Sequence, residues 1–391
     1  MNSAITVFFK EVRENIRDRR TVINTLFVGP LMAPLIFVLL INTLVTRELS
    51  KAEKPLPLPV VGAQYAPNLI AALKQNNVEI KPAPSDPDAA VRNQDADVVL
   101  RIDPDFAKAW DKGEPAQVEM IYDASQQDAR GPTERLKKLI EGYGQRTGAL
   151  RLLARGLSPS ILKPVVIADR DQSTPQSRAG LMFAMLPYFF ILGGFIGGMA
   201  LAIDTTAGER ERQSLEPLLA NPVPRWKILG GKLMATTAFA ITTVALSIVA
   251  FAVVGQFLPT EKIGMSLTLG PRFIVATVFV MLPLAALLGA LQTLVAAFAK
   301  SYREAQTYLS LLMLVPIIPT LLLSILPIKT QLWMYAVPLM GQQVTILRLM
   351  RGDPVSDMAL LICFVCTSIA AFVVCAVTAR IYYSERLAIS A

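Results

Sequence analysis

Residues 204–232 read D-T-T-A-G-E-R-E-R-Q-S-L-E-P-L-L-A-N-P-V-P-R-W-K-I-L-G-G-K, and they lie between two long apolar runs, 180–203 and 229–257. Each run is long enough to cross a bilayer, for which about 20 apolar residues suffice. The stretch between them is not apolar enough. Asp204, Glu209, Arg210, Glu211, Arg212, Glu216, Arg225 and Lys227 would together cost on the order of 20 kcal/mol in hydrocarbon, at roughly 2.5–3.5 kcal/mol each. The segment therefore stays at the membrane surface. Its internal pattern is that of a folded element and not of a plain solvated loop. Leu215, Leu218 and Leu219 fall at i, i+3 and i+4, one apolar stripe of a short helix. Arg212 and Glu216 stand at i and i+4 and are expected to pair on the polar side. Asn221-Pro222 ends that helix, because the residue before a proline is pushed out of the α region, and Val223-Pro224 forbids an early restart. A short amphipathic helix held out by two spanning helices offers a handle to a soluble partner.

Composition points the same way. With 53% hydrophobic residues in 391, the chain is too apolar for an ordinary soluble protein. The formal charge of +8 invites a nucleic-acid reading, but the basic residues are scattered at the ends of apolar runs instead of gathered on one face. Cys363, Cys366 and Cys375 all lie in the last apolar run, and the chain has no histidine. The C-x-x-C spacing therefore has nothing to complete a metal site, and packing within a span is its reading.

The chain predicts a membrane α-helical fold. Residues 1–20 carry Ile5, Phe8, Phe9, Val12 and Ile16 on one helical face and Lys10, Arg13, Glu14 and Arg17 on the other, an interfacial amphipathic helix on the cytoplasmic side. The first span, 21–45, is too long for a signal peptide and is followed by no cleavage site. Residues 46–178 are polar and proline-rich. Strands at 56–61, 78–80, 96–102 and 117–122, with a possible last one at 165–168, alternate with helices at 67–75, 104–110 and 133–153, which predicts an inserted α/β domain. Spans follow at 179–204, 229–257, 272–299, 307–328 and 357–382, with the central loop at 205–228. Prolines 316, 319 and 327 interrupt the fifth span. Residues 329–356 are too broken to cross twice and are expected to form a re-entrant hairpin. Lys and Arg crowd the ends on the side of the N-terminal helix, the central loop and residues 300–303, so that side is cytoplasmic and the α/β domain extracytoplasmic.

The run from Gly208 to Leu233, G-E-R-E-R-Q-S-L-E-P-L-L-A-N-P-V-P-R-W-K-I-L-G-G-K-L, resembles the segment that follows the second span in permeases of the ABC type 2 exporter family. In that family the segment is the coupling helix that docks on a separate ATPase. The resemblance implies an ATPase-coupling set of Glu209, Arg212, Leu215, Glu216, Leu218 and Leu219. It also implies two permease chains with two ATPase chains, the ATP and magnesium being held by the partner, in the bacterial inner membrane. Gly230-Gly231-Lys232 is no P-loop of its own: Trp226 stands where the first glycine belongs and Leu233 where Ser or Thr would hold magnesium. No catalytic constellation and no metal cluster appears; Asp103, Asp105, Asp123 and Asp128 sit at strand ends and turns, where Asp is common.

The run A-D-V-V-L-R-I-D-P-D-F, 96–106, is similar to the outer domain of sodium-extruding, NatB-type members of the family, which implies sodium efflux. No carboxylate lies well inside a span, so an ion path would use carbonyls and hydroxyls where helices break. Candidates are Asn42, Thr43, Thr242, Thr243, Gln292, Thr293 and Ser310. Each also reads as an ordinary interhelical hydrogen bond. Two other functions fit the same chain: export of a hydrophobic drug, lipid or other amphiphile, and, in a different class, a receptor or scaffold with an outer sensing domain.

Overall fold

The structure is a computed structural model that describes residues 3–162, 165, 167–214, 217–218, 222–258, 264–267, 269–325 and 329–383. It divides into two compact units: residues 1–46 together with 172–391, and residues 47–171.

Helix α1, Ser3–Arg17, begins the first unit. After a π-helical turn, Ile23–Val28, helix α2 runs Gly29–Glu53 and carries the chain into the second unit. There a four-stranded sheet forms in the order β2-β1-β3-β4, with β1 Leu56–Val61, β2 Val78–Lys81, β3 Val98–Ile102 and β4 Val118–Tyr122. β1 runs parallel to β2 and β3, and β4 is antiparallel to β3. The helices of this unit are α3 Pro67–Gln75, α4 Pro87–Arg92, α5 Phe106–Lys112 and α6 Gln127–Ala154. Proline opens α3 and α4 at positions whose N–H needs no partner, and Asp86 caps α4 by accepting from Asp88 N and Ala89 N. Leu58, Leu100, Ile102, Leu73 and Leu136 close the core between sheet and helices. α4 is absent from the sequence expectation, and α6 starts earlier than 133 because Pro132 is accommodated near its N-terminus. The strand expected at 165–168 does not form at Val165 or 167–168, and Val166 lies outside the described residues.

In the first unit α7 is Pro175–Met182, α8 Leu186–Ile203, α9 Arg225–Gly255, α10 Pro271–Phe298, α11 Tyr302–Leu312 and α12 Ile317–Ile325. Two short helices, α13 Leu332–Ala336 and α14 Met340–Arg351, precede the long α15, Asp357–Tyr383. Among the described residues six segments are long and apolar enough to cross a membrane: Ile23–Arg47, Leu186–Glu211, Arg225–Gly255, Pro271–Phe298, Tyr302–Leu323 and Asp357–Tyr382. The break in the fifth falls at residues 313–316 and so includes Pro316, Pro319 lies in the first turn of α12, and Pro327 lies outside the described residues. α13 and α14 bury Met334, Tyr335, Met340 and Val344 against Val280 of α10 and Cys363 of α15.

α8 and α9 approach closely because glycine lines their contact. A Cβ on Gly197 would sit 2.5 Å from the Thr243 hydroxyl and 3.1 Å from the Ala240 Cα. Small residues at such a crossing let two backbones pack without lipid between them.

Candidate functional site

The second span does not stop at Ile203. A π-helical turn, Asp204–Gly208, carries it on into a last turn, Glu209–Glu211. Such turns free backbone carbonyls from the helical ladder and frequently mark functional positions. Here the Thr205 carbonyl accepts from Lys232 Nζ at 2.7 Å. The same ammonium pairs with Glu209, and both groups are inside the protein, with side chains 1% and 9% exposed.

Glu209 was expected on the docking surface. It is instead a buried partner of Lys232, because the helical extension turns its side chain toward α9. The Arg212 guanidinium meets Asp204 Oδ1 at 2.9 Å, eight residues back. Leu215, Glu216 and Leu219 lie outside the described residues; Pro217 and Leu218 are helical, and Leu218 is half-buried.

α1 completes the cluster. It crosses α9 at Gly231, where a Cβ would come 2.6 Å from both the Ala4 carbonyl and the Val7 Cβ. Phe8 and Val12 pack on Leu201, Ala235 and Phe239. Glu11 and Asn15 are buried, whereas Ile5, Phe9 and Ile16 stay exposed. The amphipathic pattern thus splits: a mixed face of α1 docks on the bundle and part of its apolar stripe points outward. Burial pushes the Glu11 carboxyl above its ordinary range, with Glu209 acting in the same direction while Lys232 and Lys10 pull it down. Lys10 Nζ lies 3.2 Å from Glu11 Oε1.

The charged residues around this cluster tie the central segment to the ends of other spans. Arg210 Nη1 donates to the Ala299 carbonyl at the end of α10 at 3.4 Å. Tyr302 N, at the start of α11, donates to Glu211 Oε2 at 2.8 Å. Arg225 Nη1 donates to the Tyr382 carbonyl near the end of α15 at 3.2 Å. Named polar contacts thus join residues 204–225 to α9, α10, α11 and α15, and α1 adds packing on α9. Sequence reasoning missed this network. Its signal was a lone lysine, Lys232, inside an apolar run, which in hydrocarbon demands a partner.

The candidate path residues separate into two groups. Asn42, Thr43, Thr242 and Ser310 are exposed on the outside of this single chain. Thr43, Thr242 and Ser310 return their hydroxyls to Leu39, Ala238 and Gln306 carbonyls in their own helices. Thr243, Gln292 and Thr293 are buried. Gln292 Nε2 donates to the Phe195 carbonyl at 2.6 Å, while its Oε1 is buried with no partner, beside Gly198. Thr243 of α9 faces the preceding glycine of α8, Gly197. A second polar group, which the sequence did not suggest, joins Gln343 to Thr320 and Gln342 Nε2 to Thr367 Oγ1 at 2.8 Å. Among the described residues no group of three or more His, Cys, Asp or Glu is placed to hold a metal.

The profile of the ABC-2 family transporter protein matches residues 22–378. The chain belongs to that family. It is also 25% identical, over 356 residues, to the ABC transporter permease protein NatB of Bacillus subtilis (strain 168), covering 89% of this chain and 90% of that protein. An ABC-2 permease is the membrane-spanning subunit of an ABC transporter, not itself the ATPase, and it works with an ABC ATPase subunit. The six spanning helices are thus those of a multi-pass membrane protein.

Proposed function

We propose that this chain is the membrane half of a sodium exporter of the bacterial inner membrane, working as a homodimer with two ATPase subunits. Residues 212–224 are the coupling segment, gripped from the cytoplasm through the stripe of Leu215, Leu218 and Leu219. Both termini and the base of the bundle are cytoplasmic, α1 lies at the interface, and the unit 47–171 is extracytoplasmic. The observation that carries this reading is the rooting of the segment: the Lys232–Glu209 pair joins its two ends, and Arg210, Glu211 and Arg225 fasten it to three further spans. A loop without mechanical work to transmit has no use for such anchoring. The bias of Lys and Arg supports the orientation.

Sodium is favoured by the buried carbonyl oxygen of Gln292, which has no donor and lies at Gly198 of α8, the residue after the Gly197 that faces the Thr243 hydroxyl. An unsatisfied buried acceptor costs about 1–3 kcal/mol, and a dehydrated cation removes that cost.

The test is ATP-driven uptake of radioactive sodium into inverted vesicles containing this chain and its ATPase. Uptake is expected with both subunits, and the Gln292→Leu variant is expected to lose it while the complex still assembles. Uptake of a fluorescent amphiphile without sodium movement would replace sodium with the amphiphile reading. Purification of a functional sensor without any ATPase would overturn the exporter reading.

A further inference from the structure

The sheet of the unit 47–171 has one undefended edge. β4 ends the strand order and, among the described residues, has no strand on its outer side. Natural edges are usually blunted by free charge, proline or a bulge. β4 has no proline, and its one charge, Glu119, is engaged by Arg101 Nη1 at 2.7 Å. The opposite edge, β2, is only four residues long and carries Glu79 and Lys81.

The same unit contains a strand-forming sequence that joins no sheet among the described residues. Residues 165–170 read V-V-I-A-D-R, a β-branched run of the kind that favours pleated structure. Val165 and residues 167–170 have no regular structure. Val165 is 77% and Ile167 87% exposed, about as far from burial as a side chain of that kind reaches.

The two features match in chemistry as well as shape. In an extended segment alternate residues face opposite sides, so Val165, Ile167 and Asp169 share one side and Ala168 and Arg170 the other. Beside β4 on the α6 side lies a cleft lined by Met120, Ala129 and Thr133 with Arg130, Glu134 and Lys137. The Thr133 hydroxyl there is buried without a partner. On the α4 side lies a second cleft with Asp86, Asp88, Asp123 and Arg92. Both clefts include Tyr122, Asp123 and Ala124, so they meet at the β4 edge. Val165 and Ile167 fit the apolar part of the first cleft and Asp169 its Arg130 and Lys137, while Arg170 fits the three carboxylates of the second.

We propose that residues 165–170 of a second copy of this chain add to β4 as a fifth strand, and that the exchange is reciprocal. This rests on the homodimer reading above. Among the described residues the edge stays open although Val165 and residues 167–170 belong to the same unit, and that assigns the occupant to the neighbour.

The test uses the full-length chain in membranes, with Cys363, Cys366 and Cys375 replaced. One tagged copy carries Ile167→Cys, and a differently tagged copy carries Met120→Cys or Tyr122→Cys. Mild oxidation is expected to give a covalent species of twice the chain mass only when both partners are present. Asp169→Arg is expected to lower its yield about tenfold, as facing like charges do, and Arg130→Asp with Lys137→Asp to restore it. Co-purification of the two tags without cross-linking would leave the dimer standing and overturn the exchange. Failure of the tags to co-purify would overturn both. A cross-link formed only within one chain, or labelling of position 167 by a lipid-borne photoprobe in place of cross-linking, would equally overturn it.

Discussion

Replacing Lys232 by Met removes a cation that is 1% exposed and leaves the Glu209 carboxylate and the Thr205 carbonyl facing an apolar side chain. Breaking a buried ion pair from one side costs about 3–5 kcal/mol, most of it from the charge left behind. At about tenfold per 1.4 kcal/mol, that lowers the folding equilibrium constant by roughly 140- to 3,700-fold. Removing both charges, Lys232→Met with Glu209→Gln, leaves no uncompensated ion, and replacing a whole pair is often neutral or stabilising. The reasoning therefore predicts a weak single variant and a double variant close to the parent in stability. Thermal unfolding of the detergent-solubilised chain measures the first quantity, and ATP-driven transport measures whether the mechanical link survives. The double variant is expected to fold well yet couple poorly, since the ion pair between the two roots of the central segment is then gone. A single variant as stable as the parent, or a double variant as weak as the single, would refute the argument.

Three further outcomes follow from named contacts. Leu218→Asp with Leu219→Asp is expected to insert normally but to uncouple ATP hydrolysis from transport, read as retained ATPase activity with lost flux; full coupling would exclude this stripe as the grip. Gly231→Val forces a side chain into the Ala4 carbonyl and Val7 and is expected to cost about 1–3 kcal/mol by overpacking, seen as faster proteolysis of residues 3–17 in the folded chain. For Glu11, a carboxyl whose value is raised in the fold holds its proton more tightly there than in the unfolded chain. Its contribution is complete below the unfolded value of about 4.5 and is lost as pH rises through the higher folded value. Docking of α1 is thus expected to weaken on that rise, and Glu11→Gln to flatten the dependence in a pH series of protease protection.

The six spans and the strands at 56–61, 78–80, 96–102 and 117–122 were legible because periodicity and length leave few alternatives for them. The interior of the charged stretch was not. Counting Glu209, Arg210 and Arg212 as costs in hydrocarbon was right, but it placed them all in a loop. A buried lysine on the neighbouring helix offsets one of those costs, and that lysine looked like a fragment of a P-loop when read alone. The split face of α1 was invisible for a related reason. A helical wheel distinguishes apolar from polar, whereas α1 docks through Glu11 and Asn15 beside Phe8 and Val12, a combination that only its partner helix defines. Gln292 was found in sequence as a polar residue in a span; that one of its two amide atoms goes unpaired required the packing around Gly198.

The π-turn at Asp204–Gly208 sets an angular phase as well as a length. A π-turn already holds one residue more than an α-turn, and an α-helix advances about 100° per residue, so one further residue inserted there would aim Glu209 roughly a quarter-turn away from Lys232, whereas one residue deleted would close the turn to α geometry with Glu209 still in place. Length changes beyond Arg212 carry no such rotation to the pair. A single insertion at 204–208 is therefore expected to break the pair and a single deletion to spare it, while length changes at 222–224, beyond Leu218 and Leu219, leave both pair and grip, and a scan of such variants would trace the boundary between a segment that only has to reach and one that has to point.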